Sequence, residues 1–350
     1  MTRQRYPGAG VCVRGDQMSV AKHDTVHRVG ASALLVRMFG WWMLATLGVF
    51  LVNNHLTLVG QWPGVTPAFG DQPVPGLSWL QLSFYVLGFV CAISFNLATR
   101  SRSLRADSAL ITRFNTYLIR AAFWIVLFIG LTDMVISFLR VEDLLSAVVG
   151  DELTTQLGRS KFRGPYVHVP LMFLGLVVAA FTRTLGFPWL ALLIVCAELA
   201  IVITRFVFSY EQAFMGDLVR FWYAALFLFA SAFTLLEEGH VRVDVFYAGF
   251  SSRTKGLVNA VGSIVLGMSL CWVILLVGMG GRASIINSPM VNFEISQSGF
   301  GMYTKYLMAV FLAVFAITML IQFVSYLLDA VANYQGDDKL DTNEGIEVGR

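Results

Sequence analysis

The feature that most constrains this chain is a series of eight apolar runs, each about 20 residues long. A run of this length, folded as an α-helix, crosses the roughly 30 Å hydrocarbon layer of a membrane. Helices are favoured because lipid offers no hydrogen-bond partner to an unpaired backbone group. The sequence therefore predicts an all-α integral membrane protein, a polytopic helical bundle of eight transmembrane helices. The predicted spans are Met38–Val59, Leu77–Ala98, Tyr117–Leu139, Val167–Leu185, Phe187–Phe208, Leu218–Leu236, Leu257–Met279 and Tyr306–Leu328.

Composition supports this class and excludes others. Only 13% of the residues are charged, about half the share of a soluble globular domain. The net charge is +3, and no basic stripe with interleaved aromatic residues suggests a nucleic-acid partner. The sequence has no nucleophile elbow, phosphate loop or zinc motif. We therefore expect no enzyme, no metal and no cofactor bound by this chain.

The distribution of Lys and Arg predicts the orientation of the bundle. With eight spans, 17 of the 25 Lys and Arg residues fall in the segments on the side of the two termini, and eight fall on the other side. Positive loops remain in the cytoplasm, so both termini are predicted to be cytoplasmic. The first 33 residues then form a basic tail, expected to be disordered, and residues 335–350 form an acidic tail.

Few ionisable residues lie inside the predicted spans, and each is a functional candidate because burial in lipid is costly. Glu198 lies near the middle of the fifth span, with Arg205 seven residues later on roughly the same helix face. Asp133 lies near the outer end of the third span. Two interpretations remain open. The carboxylates either line the pathway of an ion-coupled carrier, or pair with a nearby Arg or a partner subunit and only fix helix packing.

The segment after the sixth span carries a recognisable signature. It contains His240, Arg242 and Asp244, separated by valines. The fifth span ends in Thr204-Arg205-Phe206, and Gly299-Phe300-Gly301 precedes the last span. In this order the motifs resemble the DctQ-type small membrane subunit of tripartite ATP-independent periplasmic (TRAP) transporters. The resemblance covers about residues 187–334.

The chain also departs from the pattern of that family. Phe206 stands where the family usually has Tyr, and the first four spans have no counterpart in the usual four-helix subunit. Residues 34–186 are therefore predicted to be a four-helix membrane extension, and residues 187–334 a DctQ-like four-helix membrane domain. We expect the extension to add mainly apolar bulk at the edge of the bundle.

The resemblance implies a function. Such subunits act beside a large membrane permease subunit of the DctM type and, indirectly, with a periplasmic solute-binding protein. The complex imports an organic anion, often a carboxylate, using a sodium gradient across a bacterial inner membrane. His240, Arg242, Asp244 and Arg205 would then belong to the partner interface or to a structural signature. The alternative is a stand-alone ion-coupled carrier or channel that uses Glu198 and Asp133.

Overall fold

The computed structural model describes residues 31–70, 75–183, 186–210, 213–236, 245–295 and 301–336. Most of these residues are helical, and none of them is in a strand. Eight helices are long and apolar enough to cross a membrane, which confirms the predicted fold class. The two predicted tails fall almost wholly outside the described residues. The helices are α1 Ala31–Leu58, α2 Gly76–Ala98, α3 Leu104–Val141, α4 Leu145–Val149, α5 Asp151–Leu157, α6 Ser160–Phe181, α7 Phe187–Val207, α8 Ala213–Leu236, α9 Ser252–Met279, α10 Asn287–Asn292 and α11 Lys305–Tyr334. All but α4, α5 and α10 are membrane helices.

Three of the membrane helices begin at least seven residues before their predicted spans, and α1 is one of them, with its start at Ala31 instead of Met38. Helix α3 starts at Leu104 and is 38 residues long, whereas hydropathy predicted a start at Tyr117. Helix α6 starts at Ser160, seven residues before the predicted start. The added turns contain polar and charged residues, among them Asp107 and Arg163, that are buried in the bundle. Hydropathy misses such turns because it scores a polar side chain without regard to its partner.

Helices α3 and α11 form the centre of the bundle. They pack along each other, and α11 also packs against α1, α8 and α9. Half of the α11 residues are buried, including Leu320, Val324 and Leu328. Both hydrophobic clusters of the core draw on α3 and α11: one continues into α7 and α8, and the other into α1 and α9.

The packing corrects the expectation that the first four spans are apolar bulk at the edge of the bundle. Helix α3 packs along α11 and also packs against α8. Ile119, Val126 and Ile129 of α3 are almost fully buried. A helix of the predicted extension thus fills the interior, because its long buried face matches the face of α11.

Small residues allow α9 to approach α11 closely. A Cβ atom at Gly256 would lie 2.6 Å from the carbonyl oxygen of Ala330, which is a clash. Further along α9, Ser263, Gly267 and Cys271 are buried at four-residue intervals. Rows of small residues bring membrane helices close enough for extensive van der Waals contact, so this seam fixes the position of α9 on the central helix.

Candidate functional site

A buried network of charged and hydrogen-bonded groups surrounds Asp133 in α3. The side chain of Asp133 is fully buried, and its Oδ1 lies 2.8 Å from Nη1 of Arg163 and 3.2 Å from Nε2 of His168. Its Oδ2 accepts a hydrogen bond of 2.7 Å from the backbone N–H of Tyr303. Arg163 and His168 are also fully buried. The carboxylate therefore has partners at both oxygen atoms and joins α3 to α6 and to the segment before α11.

The partners of Asp133 have further partners of their own. Nδ1 of His168 lies 2.7 Å from the hydroxyl of Tyr306. The guanidinium of Arg163 lies 4.2 Å from the centre of the Tyr303 ring, within cation–π range, and its Nε donates to the backbone carbonyl of Leu157 at 2.6 Å. Buried polar networks rigidify a core when their members have partners. This one connects four segments at one end of the bundle, and Nη2 of Arg163 is its buried atom without a hydrogen-bond partner.

A π-helical turn in α6 presents both basic residues to Asp133. The turn covers Gly164–His168, between Arg163 and the rest of the helix. In a regular α-helix, residues five apart point about 140° away from each other, but a π turn has i→i+5 hydrogen bonds and brings them to similar directions. Gly164 is required there, since a Cβ atom would lie 2.2 Å from the ring of Phe293.

A second carboxylate accepts a hydrogen bond from the backbone of the same segment, one residue before Tyr303. Asp217 of α8 accepts a hydrogen bond of 3.1 Å from the backbone N–H of Met302. Asp217 is itself 8% exposed. The segment that enters α11 is thus fixed by one acidic side chain from α3 and one from α8.

A second buried ion pair lies at the opposite end of α3. Nε of Arg37 in α1 is 2.5 Å from Oδ2 of Asp107, and both side chains are almost completely buried. The same oxygen accepts from the indole N–H of Trp41 at 2.9 Å. Arg37 also donates to the backbone carbonyl and the hydroxyl of Thr99, each at 2.6 Å. This network fastens α1 to the turn between α2 and α3.

Glu198 is placed differently from Asp133. It is the twelfth residue of the 21-residue helix α7, and it is exposed on the surface of the bundle. Among the described residues it has no hydrogen bond or ion pair. Arg205 is also exposed, in the last turn of α7, where a cation interacts favourably with the helix dipole. The seven-residue separation is about 10 Å along the axis, so the shared helix face does not bring the two groups together.

The remaining predicted site residues lie outside the described residues. This applies to His240, Arg242 and Asp244, and to Gly299 and Phe300 of the predicted approach to the last helix. Gly301 is described and buried, immediately before Met302 and Tyr303. In the part of the chain that the structure describes, no group of three or more His, Cys, Asp or Glu side chains could hold a metal ion.

The roles of Arg163 and His168 were not predicted from the sequence. Both lie about 30 residues or more from Asp133 along the chain, so no helix spacing connects them. One feature of the sequence could have indicated that Arg163 and His168 are partners of Asp133. Both residues stand at the start of an apolar run, at the same predicted membrane face as Asp133, where a buried carboxylate needs a cation.

Comparison with known proteins identifies the second half of the chain. Residues 191–332 match the family model of the DctQ component of tripartite ATP-independent periplasmic transporters. No curated protein and no solved structure matches the chain. The matched region runs from α7 into α11 and contains Asp217, Met302 and Tyr303. Over these residues the chain is therefore similar to the DctQ component of TRAP transporters, and additional apolar membrane helices precede the matched region.

Proposed function

We propose that this chain is the small permease subunit of a TRAP transporter, in which it forms a fixed scaffold beside a large permease subunit of the DctM type. The observation that carries the proposal is the match of residues 191–332 to the DctQ component. The complex would import an organic anion, with a carboxylate as the expected class, delivered by a periplasmic binding protein and driven by a sodium gradient. We place it in a bacterial inner membrane.

The arrangement of buried charges supports a scaffold. Asp133 and Asp107 are each held by at least two donors in the protein interior. Moving α3 past α1 or α6 would leave a charge without its partner in a medium of low dielectric constant, at a cost of several kcal/mol. Such networks favour one arrangement of α1, α3 and α6, as expected of a part that stays fixed while a partner moves.

The carrier alternative has no such support. Asp133 is enclosed by protein, whereas Glu198 lies on the outer surface of α7. The cavity between α1 and α6 is lined by neither of them, and its lining is almost entirely apolar. No observation among the described residues joins the two carboxylates by a polar route, so we do not propose a carrier.

The exposed face of α7 is the surface that we assign to the large subunit. Helix α7 packs mainly along α8, which leaves most of its surface uncovered: Val195 is 62% exposed and Phe206 is 77% exposed. Glu198 lies at the middle of this surface. A carboxylate facing lipid there would cost at least ~2.5 kcal/mol, and a hydrogen-bond donor or cation on the large subunit would remove that cost.

Replacement of Glu198 tests this assignment. Because Gln keeps the size and loses the charge, Glu198→Gln should reduce co-purification of the large subunit, and Glu198→Leu should reduce it further while the isolated chain becomes no less stable. The matched control is Glu152→Gln on α5, since Glu152 is also exposed but lies outside the membrane helices. Unchanged co-purification for both Glu198 variants would show that this face does not bind the large subunit.

A further inference from the structure

Helices α2 and α7 lie at different edges of the bundle. Helix α2 packs on α1, α7 packs on α8, and both α1 and α8 pack on α11. The line from α2 to α7 thus has four helix contacts, which at roughly 9 Å each separate the two axes by up to about 36 Å. The two helices have 23 and 21 residues, and each is just long enough to cross the hydrocarbon layer once. Both must therefore occupy the same layer of the bilayer.

The inner ends of α2 and α7 lie at different heights along α3. Thr99, directly after α2, accepts two hydrogen bonds from Arg37, which is also paired with Asp107 of α3. Gly186, directly before α7, lies so close to the ring of Phe123 of α3 that a Cβ atom there would clash. Asp107 and Phe123 are 16 residues apart, which is a rise of about 24 Å along the axis of α3.

The outer ends of the same two helices are displaced in the same direction. Helix α7 extends to the end of α3, where the hydroxyl of Tyr210 donates to the carboxylate of Glu142. Helix α2, with 23 residues, rises only about 34 Å from the level of Asp107, which corresponds to about residue 129 of α3. Along the axis of α3, α2 therefore ends soon after α7 begins.

An upright α3 is incompatible with this displacement in a flat bilayer. If the inner end of α2 marks the inner surface, the turn between α6 and α7 lies about 24 Å inside a hydrocarbon layer of roughly 30 Å. That turn includes exposed Arg183 and residues outside any helix, and lipid does not tolerate an exposed charge or unpaired backbone groups at such depth. If the turn marks the surface instead, exposed apolar side chains of α2 such as Val90 and Leu97 lie in the cytoplasm.

We propose that the bundle lies tilted in the bilayer, with the axes of α3 and α11 about 35° from the membrane normal. The α7 side is lowered toward the cytoplasm, and the α2 side is raised. A tilt of this size cancels a displacement of about 24 Å between spans up to about 36 Å apart, and a shorter distance would need a larger angle. Membrane helices tilt by up to about 40°. The length of α3 agrees, because its 38 residues at this tilt reach about 47 Å in depth, close to the thickness of a bilayer with its headgroups.

Residues typical of a membrane surface support the tilt. Trp189, in the first turn of α7, is 69% exposed, and Arg183 lies just before that helix. On the other side of the bundle, exposed Arg100 follows Thr99 at the end of α2. Tryptophan and basic residues concentrate at the ends of membrane spans, the basic ones on the cytoplasmic side. The tilt brings both turns to the predicted cytoplasmic surface, and it places Glu198 of α7 near the centre of the bilayer.

Two native cysteines measure the relative depth of the two spans. Cys91 of α2 and Cys196 of α7 are both exposed, so each can be spin-labelled in a full-length variant whose other cysteines are replaced by alanine. Depth is measured from the accessibility of the label to oxygen and to a nickel chelate, in nanodiscs of phosphatidylglycerol and phosphatidylcholine. We expect the two labels to lie within about 10 Å of each other in depth, because each is within about one turn of the middle of its span. An upright α3 would separate them by about 27 Å, since they are level with positions about 18 residues apart on that helix.

The tilt of α3 is measured directly with a bifunctional spin label. Ala109 and Arg113 are exposed and lie four residues apart on α3, so a label attached to Ala109→Cys and Arg113→Cys is fixed relative to the helix axis. In aligned bilayers the spectrum of this label should give a tilt of at least about 30°. Thermal unfolding verifies that the bundle has folded, and because both positions are exposed we expect the midpoint to stay near that of the parent chain.

Two results would overturn the proposal. In the first, the labels at Cys91 and Cys196 differ in depth by as much as an upright α3 requires. In the second, the two depths agree but the tilt of α3 is smaller than about 30°, which would show that the bilayer changes its thickness around an upright bundle. Both measurements use the isolated chain, so neither result depends on the large subunit.

Discussion

Asp133 and Asp217 accept hydrogen bonds from two adjacent backbone N–H groups, those of Tyr303 and Met302, at 2.7 Å and 3.1 Å. Asp133 belongs to α3, before the region that matches the DctQ component, and Asp217 belongs to α8, inside it. The entry into α11 is therefore fixed jointly by both parts of the chain. Its geometry therefore depends on a helix that lies before the matched region.

The first prediction concerns the charge of Asp133. Asp133→Asn keeps the shape but leaves the buried guanidinium of Arg163 without its anion, so the free energy of unfolding should fall by about 3–5 kcal/mol. Asp151→Asn, at an exposed position of α5, should change it by less than about 0.5 kcal/mol. Reversible unfolding in mixed detergent micelles measures both.

A double-mutant cycle distinguishes the loss of the Asp133–Arg163 interaction from a general destabilisation of the fold. Arg163→Gln alone should also be strongly destabilising, but in combination with Asp133→Asn the loss should be smaller than the sum of the two single losses, because neither charge is then left alone. Strictly additive losses would show that the two side chains do not interact.

The second prediction concerns the independence of the DctQ-type region. If residues 187–334 formed an independent domain, as the sequence predicts, a fragment beginning near Gly186 would retain binding to the large subunit. The packing of α3 along α11 predicts instead that this fragment aggregates by itself, because a long apolar face of α11 loses its cover. Co-expressed with a fragment ending at residue 185, it should form a complex that co-purifies. A monodisperse isolated fragment that binds the large subunit would contradict this.

Hydropathy was sufficient to predict eight membrane helices, because lipid requires long apolar runs whatever their packing. It placed the start of α3 too late, because the first turns of that helix contain polar residues that meet polar residues of α11. The hydroxyls of Ser108 and Ser325 are 2.7 Å apart, and Asn115 donates to Gln322 at 3.1 Å. Pairing between residues more than 200 positions apart leaves no periodic signal.

The candidate site, like the helix boundaries, could be predicted from the sequence only in part. Asp133 could be selected because an ionisable group in a span is unusual, but its partners depend on how α6 folds back on α3. Glu198 was selected by the same rule and yet is exposed, since hydropathy does not indicate which side of a helix faces its neighbours. The sequence therefore identified the carboxylates and not their surroundings.

The third prediction is the orientation of the bundle, which depends on the excess of Lys and Arg on one side. Reporter fusions after Arg102 and Arg253 should be active as cytoplasmic reporters. Fusions after Thr66 and Lys161 should be active as periplasmic ones. A periplasmic signal at Arg253 would reverse the assignment of the neighbouring His240 segment.

The fourth prediction concerns the signature His240, Arg242 and Asp244. If this segment binds the large subunit at the cytoplasmic face, Arg242→Ala should weaken co-purification, because it leaves a carboxylate without its cation at the interface. Arg253→Ala is the control: Arg253 stacks over the ring of Tyr334 at 4.7 Å within this chain. Full co-purification and unimpaired uptake for Arg242→Ala would show that the signature does not bind the large subunit.

Uptake by proteoliposomes tests the scaffold assignment most directly. The full-length chain is reconstituted alone, and in parallel with its large subunit and binding protein, and organic-anion uptake is followed under an inward sodium gradient. We predict no uptake by the chain alone and sodium-dependent uptake by the complete system that is lost when this chain is omitted. Sodium-driven uptake by the isolated chain would contradict the scaffold role and favour a carrier.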